Sequence, residues 1–442
     1  MENIRNIAEK YRSLMLEAER FLWQHPETGY KETVTSAYME EKFRALGYDL
    51  VMADGITGFY TVADTGREGP EVLVLAELDS ILCPSHKDAD PVTGAVHSCG
   101  HHAQCAALLG IAAALREKEI LSGLCGRIRL CAVPAEELLE IEYRSQLRAQ
   151  GKIRYLGGKT EFMHRGYFDG VDLALMVHTA GSFSVSGGSV GCLLKNIIYK
   201  GVAAHAGGSP WSGRNALYAA TCGINAVNAI RETFPEPDII RVHPIITHGG
   251  DMVNAIPETV TLESYVRGSS FDAITRANTR VNRALTGAAY SLGTNVEIID
   301  TPGYGPFRNA PAMMKLAEDA ARLAIPERPL HVSNHIGSGS TDMGDLCAVM
   351  PVVQPYAGGA AGRGHGNDYE IRDPEAACVD SAKWQLGMIR LLLENKAARA
   401  KEIIEGFTPA FPSIRAYLDY IDTLCASGDR IEYREDGTAV VR

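Results

Sequence analysis

The stretch Val72–Ser80, VLVLAELDS, decides the fold class of this 442-residue chain. Its first five residues form a continuous apolar run, which is typical of a strand that is buried on both faces of a sheet. The runs Ile128–Val133 and Leu173–Val177 repeat this pattern, and the helical stretch Ala103–Leu115 separates the first two strands. Buried strands that alternate with helices predict an α/β catalytic domain with a mostly parallel central sheet.

A different pattern begins near residue 191. Its element order, β-α-β-β-α-β, is that of a ferredoxin-like unit. The parallel-sheet pattern resumes after it, which indicates an insertion. The predicted strands are Leu193–Lys200, Val242–His248, Val260–Arg267 and Val296–Ile299, and the predicted helices are Gly213–Thr233 and Phe271–Leu292. We therefore predict a catalytic domain at 1–190 and 303–395, an inserted lid or dimerisation domain at 191–302, and a C-terminal helical extension at 396–442.

The composition excludes several classes of protein. The net charge is −11 and no basic stripe is present, which argues against nucleic acid as a partner. The longest apolar run, Ala106–Leu115, is too short to span a membrane, and the charged N-terminus does not resemble a secretory signal. The ten cysteines follow no spacing pattern, which favours a reducing compartment. We therefore predict a cytoplasmic protein.

Cys99 and His101 stand two residues apart in the stretch HSCGHH, 97–102, just before a predicted helix. A helix N-terminus lowers the pKa of a nearby thiol, and this favours the thiolate that binds metal. In an extended loop both side chains can face one point. A buried structural Cys beside a surface His, or a redox or nucleophilic Cys, is an alternative explanation of this motif.

Glu136 and Glu137 follow directly after the predicted strand Ile128–Val133. Ligands bind at this end of the strands in open α/β sheets. Adjacent side chains in an extended chain point apart, so one carboxylate can bind a metal while the other reaches the water of that metal. A solvated acidic turn is the alternative for this pair.

His178 and His365 complete the candidate ligand set, the first at another strand end and the second in the glycine-rich stretch 357–366. Alone, either His is equally typical of a structural role. Thiolate, imidazole and carboxylate together suit Zn, Mn, Co or Ni, and five ligands exceed the need of one structural tetrahedral site. We therefore predict two divalent metal ions. Asp79 also follows a strand, where it either orients a ligand His or caps a turn or helix.

A series of motifs along residues 10–395 resembles the M20 metallopeptidase family, in the amidohydrolase branch with aminoacyl-conjugate and p-aminobenzoyl-glutamate hydrolases. Their order along the chain makes the resemblance specific. The motifs are HPETGYKE at 25–32, AELDS at 76–80, HSCGHH at 97–102, PAEE at 134–137, VHTAG at 177–181, KGVAAHAG at 200–207, GGDMVNAIPE at 249–258, YVRG at 265–268 and GHGNDYE at 364–370.

The resemblance implies a zinc-peptidase-like catalytic domain with an inserted ferredoxin-like lid, which is often used for dimerisation. It implies that Glu136 is the general base and that His205, Asn254 and Arg267 of the lid hold the carboxylate or the scissile carbonyl of the substrate. In relatives the histidine at the position of His205 can reach across a dimer. It implies as metal ligands Cys99, His101, Glu137, His178 and His365.

Without the resemblance, the three lid residues have ordinary explanations. Arg267 is then a charge at a strand end, Asn254 shapes a turn before Pro257, and His205 is a surface residue beside glycines.

The chain departs from the family pattern at three positions. His102 and Gln104 stand where the Cys-Gly-His motif usually has an aspartate and a second histidine, and Glu77 stands where an aspartate usually precedes Asp79. None of the three is a predicted ligand. The departures therefore bear on the surroundings of the metals and on the substrate preference.

The predicted function is metal-dependent hydrolysis of an amide bond in a small carboxylate-bearing substrate, an N-acyl or aminobenzoyl amino acid conjugate, by a homodimer. A dipeptidase is the first alternative, although it needs an acidic partner for the substrate ammonium and no residue stands out for that task. A catalytically idle protein that binds metal or a partner is the second alternative. A Cys-based redox protein is the third, and its activity would survive chelation.

Overall fold

The chain divides into two compact units in the computed structural model, which describes residues 1–436 and 438–442. The first unit comprises Met1–Gly188, Phe307–His335 and Thr341–Ile414. The second unit comprises Ser189–Pro306, Ile336–Ser340 and Arg415–Arg442. The second unit thus includes the whole segment 191–302 together with the end of the chain.

A six-stranded sheet forms the centre of the first unit. Four of its strands run parallel, and two antiparallel strands lie at one edge, so the predicted α/β class with a mostly parallel sheet is confirmed. Across the sheet the strands are Val51–Met52, Phe59–Asp64, Arg127–Val133, Glu71–Glu77, Leu173–Leu175 and Val352–Val353.

The central strand and the helix that covers it explain why this sheet is stable. Every residue of Glu71–Glu77 is buried, which agrees with its unbroken apolar pattern. The helix His101–Leu115 is likewise buried over its whole length, and its many alanines let neighbouring elements approach closely. It joins one apolar core with the helices Arg12–Trp23 and Ser381–Gly406. A buried core of this kind is the main favourable contribution to folding.

Parallel strands bring three functional loops to one edge of the sheet. Asp79 follows the strand Glu71–Glu77, Glu136 follows Arg127–Val133, and His178 follows Leu173–Leu175. The carboxyl ends of neighbouring parallel strands point the same way, so these side chains are brought together by topology alone.

The remaining elements of the first unit are mostly short. A second, four-stranded sheet has the order Leu330–Val332, Phe183–Val185, Tyr356–Ala357 and His178–Thr179. Its further helices are Glu2–Lys10, Thr33–Ala45, Lys118–Leu121, Ile141–Ala149, Gly158–His164, Pro311–Ala324 and Met343–Cys347, with a π-helix at Glu375–Asp380. Its further strands are Ile81–Leu82, Ala95–Val96, Phe307–Arg308, Ala360–Ala361 and Glu370–Ile371.

The second unit follows the element order β-α-β-β-α-β. Its strands pair antiparallel, with the second predicted strand divided into Arg241–Val242 and Ile245–His248. Both long helices begin at a side-chain cap, Asn215 for Ala216–Ile230 and Ser270 for Phe271–Ser291. Across the sheet the strands are Arg241–Val242 with Ile245–His248, Thr259–Gly268, Gly191–Lys200 and Asn295–Pro302.

The predicted helical extension at 396–442 is only partly helical, which corrects the sequence prediction. The backbone breaks from helix at Glu394–Ala397 and is helical again up to Gly406 and at Ile414–Asp422, but Ile431–Tyr433 and Ala439–Val441 pair as antiparallel strands. These strands are rich in β-branched and aromatic residues, which favour a pleated surface, although the charged residues around them dominate the sequence pattern.

The C-terminal segment belongs to the second unit. Ala426 and Asp429 form antiparallel bridges with the strand Asn295–Pro302 at its outer edge, and Ile431 is buried in the core of this unit. The backbone hydrogen bonds that lie along this edge include Asp300 N–H to Ala426 O, 2.7 Å.

In the part of the chain that the structure describes, no helix is both long enough and apolar enough to cross a lipid bilayer.

Candidate metal centre

All five predicted metal ligands converge in the first unit. The ligand atoms of Cys99, His101 and His178 lie within 4.8 Å of one another, and the same holds for Cys99, Glu137 and His365. Cys99 belongs to both groups. The Cys99 thiolate would therefore be within reach of a cation held by either group.

Cys99 and His178 form the inner side of the first group. Gly100, with φ of 91°, turns the chain between Cys99 and the start of the helix His101–Leu115. Cys99 Sγ lies 3.6 Å from His178 Nε2. The other ring nitrogen of His178 lies 2.9 Å from the carbonyl of Thr179, which assigns the proton to Nδ1 and leaves Nε2 available for a metal.

Glu137 and His365 form the outer side of the centre. His365 Nε2 lies 2.9 Å from Glu137 Oε1, and 53% of the His365 side chain is exposed. The backbone of His365 is left-handed, with φ of 61°, and its N–H donates to Ser98 O at 2.9 Å. A non-glycine residue in this conformation is strained, and such strain clusters at functional sites.

Asp79 contacts two of the predicted ligands. Its Oδ2 accepts the N–H of Glu137 at 2.8 Å, and its Oδ1 lies 3.2 Å from His101 Nδ1. His101 Nδ1 also lies 2.9 Å from the Asp79 carbonyl, so this nitrogen carries the proton and Nε2 faces the centre. Of the two roles open for Asp79, these contacts favour orientation of the predicted ligand His101.

Glu136 lies beside the first group on a strained turn. The preceding residue, Ala135, is left-handed with φ of 55°. Glu136 Oε2 is 4.0 Å from His101 Nε2, and burial followed by the charges of Glu77 and Glu137 raises the pKa of Glu136 well above its usual value. Gly158 packs under this turn, because a Cβ there would overlap the carbonyl of Pro134.

A third group, formed by Glu77, His101 and Glu136, also has its ligand atoms within 4.8 Å of one another. It shares His101 with the first group. With Nδ1 directed at Asp79, His101 has one nitrogen lone pair for a metal, and one lone pair binds one ion. The third group is therefore a set of carboxylates beside the first ion site, and not a separate site.

The thiol of Cys99 differs from the sequence expectation. The nearby helix N-terminus was expected to lower its pKa, but burial and the charge of Glu137 raise that pKa well above its usual value. Desolvation disfavours the thiolate more than the helix favours it. A thiolate at this position thus depends on a bound cation, which deprotonates a coordinating thiol.

The residues present fit a pair of divalent cations. His101 Nε2 is buried and makes no hydrogen bond among the described residues, although Glu77 Oε2 lies 3.2 Å away. The buried carboxylates of Glu77, Asp79, Glu136 and Glu137 crowd this region, and buried charges of one sign need compensation by ions of the other. Thiol, imidazole and carboxylate donors suit Zn, Mn, Co or Ni.

Comparison with known proteins identifies the family. Residues 78–390 match the model of peptidase family M20/M25/M40, which is most of the chain. This chain belongs to peptidase family M20/M25/M40. The predicted family and the predicted class of enzyme, a hydrolase of amide bonds, are confirmed by this match.

Individual relatives share low sequence identity with this chain but align with more than half of its length. The Xaa-Arg dipeptidase of Mus musculus is 26% identical over 368 residues, which cover 80% of this chain and 78% of the relative. One of the two p-aminobenzoyl-glutamate hydrolase subunits of Escherichia coli is 31% identical over 263 residues, 55% of each chain. The crystal structure of Bacillus subtilis YXEP, a dinuclear metal binding peptidase from the M20 family, has a TM-score of 0.62 at 19% identity and covers 87% of this chain and 99% of that one.

Two of the three departures from the M20 pattern contact each other. Gln104 Nε2 donates to Glu77 Oε2 at 2.9 Å, so the amide and the longer carboxylate form a matched pair. The third departure, His102, is fully buried, and its Nε2 lies 3.4 Å from Glu19 Oε1. Gln104 and His102 therefore lie outside the three candidate groups of metal-binding atoms, whereas Glu77 belongs to the third group beside His101.

Lys159 and Asp342 were missed by the sequence analysis. Both are fully buried. Lys159 Nζ lies 2.5 Å from Glu77 Oε1 and also bonds Asp342. The residues around Lys159 resemble a turn before a helix, and Asp342 resembles a helix cap, so neither position carries a sequence signal for this ion-pair cluster.

The three predicted substrate-binding residues lie in the second unit, which brings only two of them together. His205 bridges to Ala255, and Ala206 N–H donates to Asn254 O at 2.9 Å, so His205 and Asn254 occupy adjoining loops. Arg267 lies at the far end of the strand Thr259–Gly268, where it pairs with Cys192. That strand is about 27 Å long between Thr259 and Arg267.

His205 presents a defined donor. Its Nδ1 accepts the N–H groups of Gly207 and Gly208 at 3.1 and 3.0 Å. A neutral imidazole that accepts at Nδ1 carries its proton on Nε2. The exposed ring of His205 therefore offers an N–H to an incoming oxygen.

Proposed function

We propose that this chain uses two divalent cations to hydrolyse the amide bond of a small substrate whose amine product carries a carboxylate, such as an N-acyl or aminobenzoyl amino acid. One observation carries the proposal. Cys99 is shared by two groups of metal-binding atoms, and the carboxylate of Glu136 lies 4.0 Å from His101 Nε2, which also lies 3.2 Å from Glu77 Oε2. A carboxylate beside two cations is the arrangement that metal-assisted amide hydrolysis requires.

The cation sites are proposed from the two ligand groups. Cys99, His101 and His178 would hold one ion, and Cys99, Glu137 and His365 would hold the other. When bound, such ions would polarise a carbonyl and lower the pKa of a coordinated water toward ~7. The ligands leave the choice among Zn, Mn, Co and Ni to a metal analysis.

Glu136 moves the proton in the proposed reaction. It accepts a proton from the attacking water and later gives that proton to the leaving amine, so the same carboxylate is base and then acid. The left-handed turn at Ala135 directs Glu136 and Glu137 differently, one toward the reacting water and the other toward a cation.

Substrate binding is proposed for the second unit. The Arg267 guanidinium forms a fork that suits a carboxylate, and Asn254 adds a neutral contact. His205 donates its Nε2–H to the oxygen that becomes negative, a type of contact that contributes ~3–4 kcal/mol to transition-state stabilisation. The names of two relatives, which act on p-aminobenzoyl-glutamate and on Xaa-Arg dipeptides, describe substrates whose amine product is an amino acid.

A homodimer is proposed because the substrate-binding residues are separated. His205 and Asn254 lie at one end of the strand Thr259–Gly268 and Arg267 at the other end. Two copies of the chain can supply both ends to one small substrate, with His205 from the partner copy. Among the residues that the structure describes, the exposed strand Ile245–His248 pairs on one side only, with Thr259–Gly268, so its other side can accept a second copy.

Replacement of Glu136 tests the proposal. Glu136→Ala should lower kcat by about 10²–10⁴-fold, the usual contribution of a positioned acid–base group, while metal analysis still finds two ions per chain. Glu142→Ala, an exposed carboxylate on the next helix, is the matched control and should leave kcat unchanged. Full activity of Glu136→Ala would show that the base is a different group.

A dipeptidase is the second candidate, and it is favoured by the similarity to the Xaa-Arg dipeptidase over 80% of this chain. Dipeptides carry a free ammonium next to the scissile bond, whereas N-acyl and aminobenzoyl conjugates do not. Parallel assays of N-acyl amino acids, p-aminobenzoyl-glutamate and dipeptides with C-terminal Arg or Lys distinguish the two. A kcat/KM that is at least tenfold higher for the dipeptides would favour this candidate.

A further inference from the structure

The stretch HPETGYKE, 25–32, has no role in the proposed reaction. It nevertheless contacts two loops of the candidate site, the one after Asp79 and the one before Glu136. The Ser80 N–H and Oγ donate to the Glu27 carbonyl at 2.7 and 3.0 Å. The Ala135 N–H donates to Glu32 Oε1 at 2.8 Å. Residues 27–32, here called the bracket segment, therefore connect the loop after Asp79 with the turn before Glu136.

Glu32 is a fully buried carboxylate whose two oxygens each have a donor. Oε1 accepts from Ala135, and Oε2 accepts from Thr57 Oγ1 at 2.6 Å. Burying a carboxylate is costly unless its oxygens are hydrogen-bonded, so these donors are needed to keep Glu32 in place. The carboxylate in turn fixes the N–H of a residue in the catalytic turn.

The bracket segment also joins three strained residues. Tyr30, Ala135 and Glu140 are left-handed, with φ of 61°, 55° and 51°. Thr28 Oγ1 donates to Glu140 at 2.5 Å, and a Cβ on Gly29 would lie 2.8 Å from Ala135 Cα. A left-handed backbone at a non-glycine residue persists only where surrounding contacts stabilise it. Here those contacts run between the segments that contain the three strained residues.

Arg144 also contacts both the bracket segment and the catalytic turn. Its guanidinium lies over the Tyr30 ring, 5.5 Å from the ring centroid, and Nη1 donates to the Leu156 carbonyl at 2.8 Å. Its Nη2 donates to the carbonyl of Glu137, a predicted ligand. The catalytic turn is thus held at Ala135 by Glu32 and at Glu137 by Arg144.

We propose that the bracket segment positions the catalytic turn Pro134–Glu137, and that Glu32 is the positioning residue for Glu136. The proposal rests on the role of Glu136 in the proposed function. The Ala135–Glu32 hydrogen bond keeps Ala135 left-handed, which directs the carboxylate of Glu136 toward the reacting water. Loss of the bond lets Ala135 relax to the right-handed region, and Glu136 then turns away.

Variants of Glu32 test this role. Glu32→Ala should lower kcat by about 10–100-fold with little change in KM and with two metal ions retained, because small displacements of a catalytic group cost this much. Glu32→Gln keeps an oxygen that can accept the Ala135 N–H and should retain more of kcat. Glu41→Gln, an exposed carboxylate on the helix that follows the bracket segment, is the control and should behave as the wild type.

A glycine at position 135 separates positioning from general stability. Glycine adopts a positive φ without the penalty of a side chain, so Ala135→Gly should restore part of the kcat of Glu32→Ala. A purely structural effect of Glu32 would lower the melting temperature and the active fraction, but glycine at 135 would then not raise kcat. Absence of such rescue, with both variants folded, would contradict the positioning role.

Amide hydrogen exchange provides a readout that does not need activity. In the wild type the Ala135 N–H should be protected, and in Glu32→Ala the peptide that contains 134–137 should exchange faster while the strand Glu71–Glu77 stays protected. Unchanged protection together with unchanged kcat in both Glu32 variants would overturn the proposal. If the wild type hydrolyses no amide but the protection is lost as expected, the proposed function fails and the bracket is still supported as the support of this turn.

Discussion

Lys159 is a buried cation next to the candidate metal centre, and its charge changes the pKa of the neighbouring carboxylates. Burial opposes ionisation of Glu77, but Lys159 and His101 outweigh it and lower the pKa of Glu77 to about 2. Burial raises the pKa of Asp342 to about 6 despite the same ammonium. Lys159 therefore holds Glu77 as a carboxylate next to the ligand His101, in a place where water cannot stabilise it.

Removal of that ammonium should destabilise the fold. Lys159→Met leaves Glu77 and Asp342 buried without their cation, and breaking a buried pair in this way typically costs ~3–5 kcal/mol. Urea denaturation measures the loss, with the exposed Lys87→Met as the control. The double variant Lys159→Met/Glu77→Gln should recover part of the stability, and no recovery would mean that lost packing explains the effect.

Asp79 should control the affinity for cations. It contacts His101 and Glu137, so Asp79→Asn weakens the orientation of one ligand in each group, and such changes typically cost 10–100-fold in metal affinity. Competition with a chelator measures that affinity, and the exposed Asp88→Asn serves for comparison. Equal affinity in both variants would show that His101 does not depend on Asp79.

At the scale of elements, the ends of three parallel strands and the start of one helix place most of the candidate site. The strand ends place Asp79, Glu136 and His178, and the helix start after Gly100 places Cys99 and His101. The bracket segment and the helix Ile141–Ala149 then brace the turn after the strand Arg127–Val133 from both sides.

The contact of Glu140 with Thr28 and Lys31 makes this brace sensitive to pH. Burial opposes ionisation of Glu140, but its hydrogen bonds with Lys31 and Thr28 lower its pKa in the folded chain. A lowered pKa contributes stability above the unfolded value of ~4.3, and this contribution is lost as the pH falls below that value. Because Lys31 is 41% exposed, the effect is below ~1 kcal/mol.

Urea midpoints of the wild type and Glu140→Gln measure this contribution. The wild type should be the more stable protein at pH 7, and the difference should shrink between pH 4.5 and 3. A difference that stays constant over this range would point to a packing effect of the substitution.

At the scale of the whole chain, sequence patterns predicted the parts that depend on periodicity and chain order. The buried strand around Val74, the convergence of the candidate ligands near strand ends and the β-α-β-β-α-β order of the second unit all follow from local patterns. Lys159 and Asp342 could not be predicted, because their partner Glu77 is distant in sequence. The hairpin at Ile431–Tyr433 was missed because charged residues surround a short apolar strand.

Solution mass tests the proposed homodimer. The mass should be twice the 47.8 kDa of one chain. The double variant Ile245→Lys/Ile246→Lys, on the exposed edge strand, should return the mass to the single-chain value. Val332→Lys, at an exposed apolar position of the first unit, is the control. A dimer that persists with both lysines would place the interface elsewhere.

The C-terminal segment has a consequence for any assembly that uses sheet edges. In the residues that the structure describes, Ala426 and Asp429 already occupy backbone groups along Asn295–Pro302, which leaves Ile245–His248 on the opposite edge for the proposed homodimer. If two copies pair through that edge, no equivalent edge remains for a third copy, so the proposed assembly would stop at two chains. We therefore expect a chain shortened at Ile414 to expose the edge at Asn295–Pro302 and to form larger, polydisperse oligomers.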